Sequence, residues 1–337
     1  MDDFFVKLSF DRNEVHGFTE TNQTNERGVF APKGYNLFDE LFNPQHGDWF
    51  LFDYWTSKLS TDPFEVKSVI APDHKQALIR SLSGIHQNTE ISQLIVYFDY
   101  LRSSVDAFEK SLGTVLYELT KKIFNISISN GKFLRVQRST LKPIVEANGT
   151  ELTMEKLSSG NLYLLQRLVS LLGKAYAIYS LRKEEVVIDE ITSIPGILII
   201  DEAENHLHPK WQKTFLNDIM SIFPNLQIIV TTHSPFIVSS VENGKVYVCE
   251  NSIDGAQIIN ATEMYTNKPI DEILTTQLFN TSPFGKEISD LMGDRKIAIE
   301  QGNKVAEERI ETELLELNPQ YFSYLNLEKI LKKGGNQ

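Results

Sequence analysis

Cysteine is almost absent, since Cys249 is the single one in 337 residues. That excludes a disulfide framework and any cysteine-rich zinc module, and it suits a reducing cytoplasm, the location expected for this chain. Long apolar runs are missing as well. The run ahead of Asp201 is a few residues long, far short of the ~20 that cross a bilayer as a helix. Asp2 and Asp3 stand where a secretory signal would carry lysine or arginine, so neither an export signal nor a membrane anchor is expected. Positive charge is in deficit, with 33 Lys and Arg against 45 Asp and Glu and a net charge of -12. Such a balance argues against coating bare nucleic acid through bulk electrostatics. A basic strip remains at Lys132, Arg135, Arg138 and Lys142, and it reads as a solvated strand edge.

What is present describes a folded chain. The length allows two or more lobes, and 41% hydrophobic with 23% charged residues excludes global disorder. Phe4 to Phe10 reads as a strand and residues 11–34 as loop. Residues 35–60, with Leu37, Leu41, Trp49, Phe50, Phe52, Trp55 and Leu59, read as helical with an aromatic core face. Leu94, Phe98, Leu101, Val105, Phe108, Leu112, Val115 and Leu119 recur at alternating steps of four and three. That predicts one long helix with a heptad seam, packed within its own domain or against another chain. Strands follow around Phe133–Val136 and Ile144–Glu146, and Asn148-Gly149 marks a tight turn. From Leu157 the pattern becomes strand–helix alternation, with a helix from about Asn161 to Leu181, a break at Pro195-Gly196, a buried strand Ile197–Ile200, a helix near Pro209–Ile222 and a second buried strand Leu226–Thr231. Helix between short apolar strands predicts a parallel sheet. An acidic amphipathic stretch covers Lys286–Leu317, and Lys332–Gln337 reads as a frayed end.

Three short stretches carry chemistry. Ile197–Ile200 runs into Asp201-Glu202, and a buried parallel strand delivers its C-terminal residues to the crevice where α/β sheets bind ligands. The first carboxylate there can hold Mg²⁺ through water, and the second can orient or deprotonate a water for attack on a terminal phosphate. A plain strand end explains the pair equally well. At the tip of the neighbouring strand, Thr232-His233-Ser234-Pro235 offers a histidine able to touch a γ-phosphate. Alone, such a histidine is more often a structural hydrogen-bonder. Leu157-Ser158-Ser159-Gly160 opens a helix, and hydroxyls with free amides and a helix dipole cradle an anion, or else form an ordinary N-cap. His206 and His208 lack a nearby cysteine to complete a zinc set.

Taken together, in this order and spacing, these stretches resemble the ABC ATPase superfamily over about residues 90–250. Leu157–Gly160 is similar to its signature motif, Ile197–Glu202 to its Walker B strand and catalytic glutamate, and His233 to its switch histidine. Asn205-His206-Leu207-His208-Pro209 resembles the variant D-loop of the RecF-like and overcoming-lysogenization-defect-like branch. The resemblance implies an α/β P-loop NTPase, an ABC ATPase head with a parallel-sheet core and a helical insertion. It implies ATP and Mg²⁺ as ligands, Glu202 and His233 as catalytic residues, Asp201 on the metal through water, and Ser158, Ser159, Gly160, Asn161, Asn205 and His206 against nucleotide. In that superfamily two heads sandwich ATP, so Ser158 and Gly160 would serve a nucleotide held mainly by a partner head, either a second copy or a homologue.

The superfamily's phosphate loop, G-x-x-x-x-G-K-[ST], does not occur here. The Gly-Lys pairs at Gly131, Gly173, Gly244 and Gly285 are followed by Phe133, Ala175, Val246 and Glu287. The expectation is therefore an N-terminally truncated head that binds and hydrolyses ATP poorly by itself. The corresponding division is 1–90 as a remnant N-terminal ATPase lobe, 91–156 as helical insertion and hairpin, 157–250 as ATPase core, and 251–337 as a C-terminal helical region. Leu157–Asn161 continuing through Leu165–Gly173, with Asn161 where most heads carry Glu, is similar to the ATPase subunit of Septu-type and retron-linked antiphage systems. That resemblance implies an SMC-like head that gates a partner HNH endonuclease. A RecF-like or SMC-like DNA-repair ATPase contacting nucleic acid, and a catalytically inactive scaffold, are the alternatives.

Overall fold

The computed structural model describes residues 50–326, apart from residues 85, 129, 183–186, 243, 253–254, 267, 277 and 280. The strand expected at Phe4–Phe10, the loop at 11–34, the first part of the helix expected at 35–60 and the terminal Lys332–Gln337 lie outside the described residues. Two compact units divide between His233 and Ser234.

The first unit is built on a three-stranded parallel sheet of β1 (Leu51–Trp55), β5 (Gly196–Ile200) and β6 (Leu226–Val230), in the order β1-β5-β6. A helix was expected across Leu51–Trp55. The segment is a strand because its burial alternates, with Leu51, Asp53 and Trp55 inward, and a period of two suits a pleated ribbon. Central β5 is hydrogen-bonded on both sides and buries Ile197, Leu198 and Ile200, which is why it reads as an unbroken apolar run.

Before the sheet's second strand come α1 (His74–Ile79), α2 (Asn88–Arg102) and α3 (Ala107–Ser127). The single helix expected through Leu94–Leu119 is two helices that pack on each other. Between them, the Asp106 carboxylate accepts the Glu109 amide at 2.9 Å and starts α3 afresh. Val105 and Phe108, nominal members of the seam, are consequently exposed, while Leu94, Phe98, Leu101 and Leu112 are buried. An antiparallel sheet of β2 (Gly131–Gln137), β3 (Lys142–Ala147) and β4 (Thr150–Thr153) follows. Its second turn has positive φ at both Asn148 (51°) and Gly149 (77°), the backbone that an Asn-Gly pair tolerates best. The basic strip on β2 and β3 is neutralised locally. Lys132 meets Glu146 at 3.6 Å, Arg135 meets Glu151 at 2.9 Å, Arg138 meets Asp99 at 2.9 Å and Lys142 meets Glu155 at 3.7 Å.

Helix α4 (Ser159–Arg182) is buried around its whole circumference from Tyr163 to Tyr179, which makes it the centre of this unit. Lys174 on its buried surface is ion-paired with Asp53 of β1, whose carboxylate also accepts from the Trp55 Nε1 and the Tyr54 amide, both at 2.9 Å. The helix expected at Pro209–Ile222 is two short ones, α5 (Pro209–Gln212) and α6 (Phe215–Ile222), interrupted at Lys213-Thr214.

The second unit holds α7 (Pro235–Ser239), an antiparallel hairpin of β7 (Tyr247–Ser252) and β8 (Gly255–Asn260), α8 (Thr262–Tyr265), α9 (Ile270–Leu274), α10 (Lys286–Glu300) and α11 (Lys304–Leu317). Val238, Val248, Tyr265 and Ile273 form one of its cores, and Ala298, Ile310, Leu314, Phe322 and Leu325 form the other. Among the described residues no helix is long and apolar enough to cross a membrane.

Candidate functional site

The C-terminal ends of β5 and β6 are tied together by side chains. Beyond β5 the Asp201 amide still donates to the Trp55 carbonyl at 2.9 Å, so Asp201 sits at the last rung of the ladder. The chain then turns through Glu202, whose φ of 48° is left-handed, a conformation that costs a non-glycine residue about 1–2 kcal/mol. Thr231, just after β6, stabilises that turn. Its hydroxyl donates to Asp201 Oδ1 at 2.7 Å and accepts from the Glu202 amide at 2.9 Å. Its carbonyl accepts from the Ala203 amide at 3.1 Å.

Each carboxylate of the turn has a defined neighbour. Asn205 Nδ2 donates to Glu202 Oε2 at 2.6 Å. Glu204 takes the Thr232 hydroxyl at 2.6 Å and the His233 amide at 3.0 Å, so the backbone carrying the His233 ring is pinned to the opposite strand end. Glu202 and His233 are exposed, and Asp201 is partly so. Donors and acceptors are thus arranged around an open strand tip, with an acidic side chain that a cation or a water can reach.

His206 also has positive φ, 65°. Its Nε2 lies 2.9 Å from the Ser57 carbonyl, and because a carbonyl oxygen only accepts, that nitrogen carries the proton. The imidazole faces the Tyr163 ring at 5.6 Å. Burial pushes the Tyr163 phenol well above its ordinary range, and the charges of Asp201 and Glu204 push it further in the same direction. The start of α4 lies directly against this turn. A Cβ on Gly160 would stand 2.5 Å from the His206 carbonyl oxygen, so only a glycine permits the approach. Ser158 and Ser159 are exposed at the helix start, and the Ser158 hydroxyl accepts the Asn161 amide at 3.3 Å.

The structure therefore brings Gly160, Asp201, Glu202, Asn205 and His206 to one end of the parallel sheet, with Ser158, Ser159 and Asn161 at the adjoining helix start. His208 lies apart, capping α5 by accepting the Lys210 amide at 3.2 Å. Among the described residues no three of His, Cys, Asp and Glu converge as a metal cage. A lone strand-end carboxylate still fits Mg²⁺, which keeps most of its waters and takes one or two carboxylates plus phosphate oxygens. Sequence reasoning passed over the roles of Thr231 and Glu204 in tying the strand ends, and passed over Tyr163 and Arg167. Two hydroxyls directly after an apolar strand, Thr231-Thr232, were the available signal for the first pair.

A parallel sheet whose central strand ends in Asp201-Glu202, with a glycine-opened helix start at the same end, is the place where α/β sheets bind ligands, phosphates included. The chain belongs to the family described as "AAA domain, putative AbiEii toxin, Type IV TA system", matched over residues 42–239. It is similar to the "Retron Ec83 probable ATPase" of Escherichia coli, with 30% identity over 186 residues, 55% of this chain and 32% of the relative. It is also similar to the Septu protein PtuA of Bacillus thuringiensis, with 29% identity over 144 residues, 42% of this chain and 35% of the relative. The matches thus span about a third of the length of these curated relatives. A solved SMC head bound to the C-winged helix domain of ScpA aligns over 55% of this chain and 60% of its own, at 14% identity and a TM-score of 0.32.

Proposed function

We propose that the chain is the hydrolysis-bearing part of an antiphage-defence ATPase, with Glu202 as the residue that orients and deprotonates the attacking water. The observation that carries this is the double use of the Thr231 hydroxyl, which sets Asp201 and the Glu202 backbone side by side at the strand tip. Relatives named as retron and Septu proteins support the defence setting.

In this reading Asp201 would hold Mg²⁺ through water, and the metal would supply charge neutralisation to the phosphates of bound ATP. Asn205 holds the Glu202 carboxylate in a fixed direction, so the base meets a water without first losing a rotamer. His233, its backbone set by Glu204, would reach the γ-phosphate. Ser158, Ser159, Gly160 and Asn161 present the start of α4, with the Ser158 and Ser159 hydroxyls, to the nucleotide of a second ATPase head, because this chain contains no phosphate loop. By the resemblance to Septu-type ATPases, the nucleotide state governs an HNH endonuclease subunit in the cytoplasm.

The test is phosphate release by the full-length protein carrying Glu202→Gln. Loss of a positioned general base lowers turnover by about 10²–10⁴-fold, with ATP still bound and the paired heads retained on a sizing column. Turnover equal to that of the unsubstituted protein rejects the assignment.

A further inference from the structure

Arg167 is 1% exposed, and its guanidinium donates to backbone. Nη1 reaches the Gly84 carbonyl at 3.1 Å, and Nη2 reaches the carbonyls of Thr56 and Lys58, each at 2.7 Å. The carbonyl between those two, Ser57, is the one that accepts from His206 Nε2 at 2.9 Å. Three successive carbonyls of the segment after β1 are therefore taken alternately by α4 and by the turn after β5. Arg167 on the outer two carbonyls and His206 on the middle one hold this short segment from both sides. Tyr163, one turn before Arg167, adds a ring contact to each, with the guanidinium 5.2 Å and the His206 ring 5.6 Å from its centroid. Beyond His206 stands Asn205, whose amide holds the Glu202 carboxylate.

We propose that Arg167 and the Thr56–Lys58 segment form a positioning relay that sets the Glu202 carboxylate through His206 and Asn205. A displacement of α4 at its glycine-opened start is then felt at the hydrolytic carboxylate. The catalytic half of this statement rests on the proposed function. Two features of the chain support the relay itself. A buried guanidinium on neutral carbonyls is costlier than an apolar side chain of the same volume, and what it alone supplies is a planar fork spanning several acceptors. Positive φ at both Glu202 and His206 persists only where neighbouring contacts over-determine the turn.

The experiment uses the full-length protein, unsubstituted and as Arg167→Lys, His206→Ala, His206→Gln and the Arg167→Lys/His206→Ala double variant. Without nucleotide, hydrogen exchange followed by mass spectrometry reads the peptides covering residues 55–59 and 201–207. His206→Ala, at an exposed side chain, is expected to speed exchange in both peptides. His206→Gln, whose amide N–H reaches the same carbonyl, keeps residues 55–59 slow. Arg167→Lys is expected to speed exchange in 201–207, which it does not touch. With ATP, Arg167→Lys and His206→Ala each lower kcat about tenfold with KM shifted less than about twofold, and their double variant is no slower than the slower single. Unchanged exchange at 201–207 in Arg167→Lys, or multiplicative losses in the double variant, overturns the relay. If Arg167→Lys does not fold, exchange at 55–59 in His206→Ala decides it, unchanged exchange overturning it. An unsubstituted protein that releases no phosphate rejects the proposed function and leaves the exchange result to judge the relay.

Discussion

Asp53 is fully buried in β1, where Lys174, the Trp55 indole and the Tyr54 amide surround it. Removing one member of such a pair strands the other, at about 3–5 kcal/mol. Lys174→Met is therefore expected to lower the urea midpoint strongly, and Asp53→Asn combined with it to recover part of the loss. Thr231→Val tests the strand tip instead. It removes both hydrogen bonds at an exposed strand tip, for about 0.5–1.5 kcal/mol each, and turnover should fall further than stability does. Tyrosine titration supplies a third residue-scale prediction. Burial raises the Tyr163 and Tyr176 phenols above their ordinary value of 10.0. The unfolded chain then loses protons first, so stability is fully present below pH ~10 and falls as pH rises beyond it. The last part of the phenolate absorbance should rise together with the loss of helical signal, and ionisation of all 12 tyrosines in a still-folded protein would contradict the burial.

At the scale of elements, the decisive contact is that of the α4 start on the turn after β5. Alanine is worth about 0.8–1 kcal/mol more than glycine in a helix interior, so propensity alone favours Gly160→Ala. The Cβ would stand 2.5 Å from the His206 carbonyl oxygen, and that clash wins, because overpacking against backbone costs about 1–3 kcal/mol. We expect a lower melting temperature and a larger fall in phosphate release, measured on the full-length protein. The helical insertion shows the converse. Its eight-residue seam is continuous in sequence, yet Asp106 caps a new helix inside it and leaves Val105 and Phe108 in water. A heptad pattern records which side chains are apolar, and a single capping carboxylate is enough to end the helix that would have aligned them.

Across the whole molecule, charge runs against a nucleic-acid surface on β2 and β3. The net charge is -12, and all four cations of the basic strip lie against carboxylates. Arg135→Ala with Arg138→Ala should leave duplex affinity unchanged in a salt titration. A weaker complex whose salt slope drops by about one per lost cation would place phosphate contacts there after all. The missing phosphate loop belongs to this scale too. The 337-residue chain by itself is expected to bind ATP weakly by calorimetry, and mixing it with a loop-bearing head should restore binding through the Ser158–Asn161 helix start.

Local pattern was sufficient for the parallel sheet, the α4 helix, the Asn148-Gly149 turn and the Asp201-Glu202 strand end. A central strand must be apolar on both faces, and an N-G turn needs no distant partner, so each is written in a few adjacent residues. The strand at Leu51–Trp55 was hidden because aromatic residues suit a helix face as well as a pleat, and pairing with β5 decided between them. The same holds for the roles of Thr231, Tyr163 and Arg167. Their partners lie tens of residues away, and a hydrogen bond of that span is chosen by how the elements pack, which only the folded chain determines.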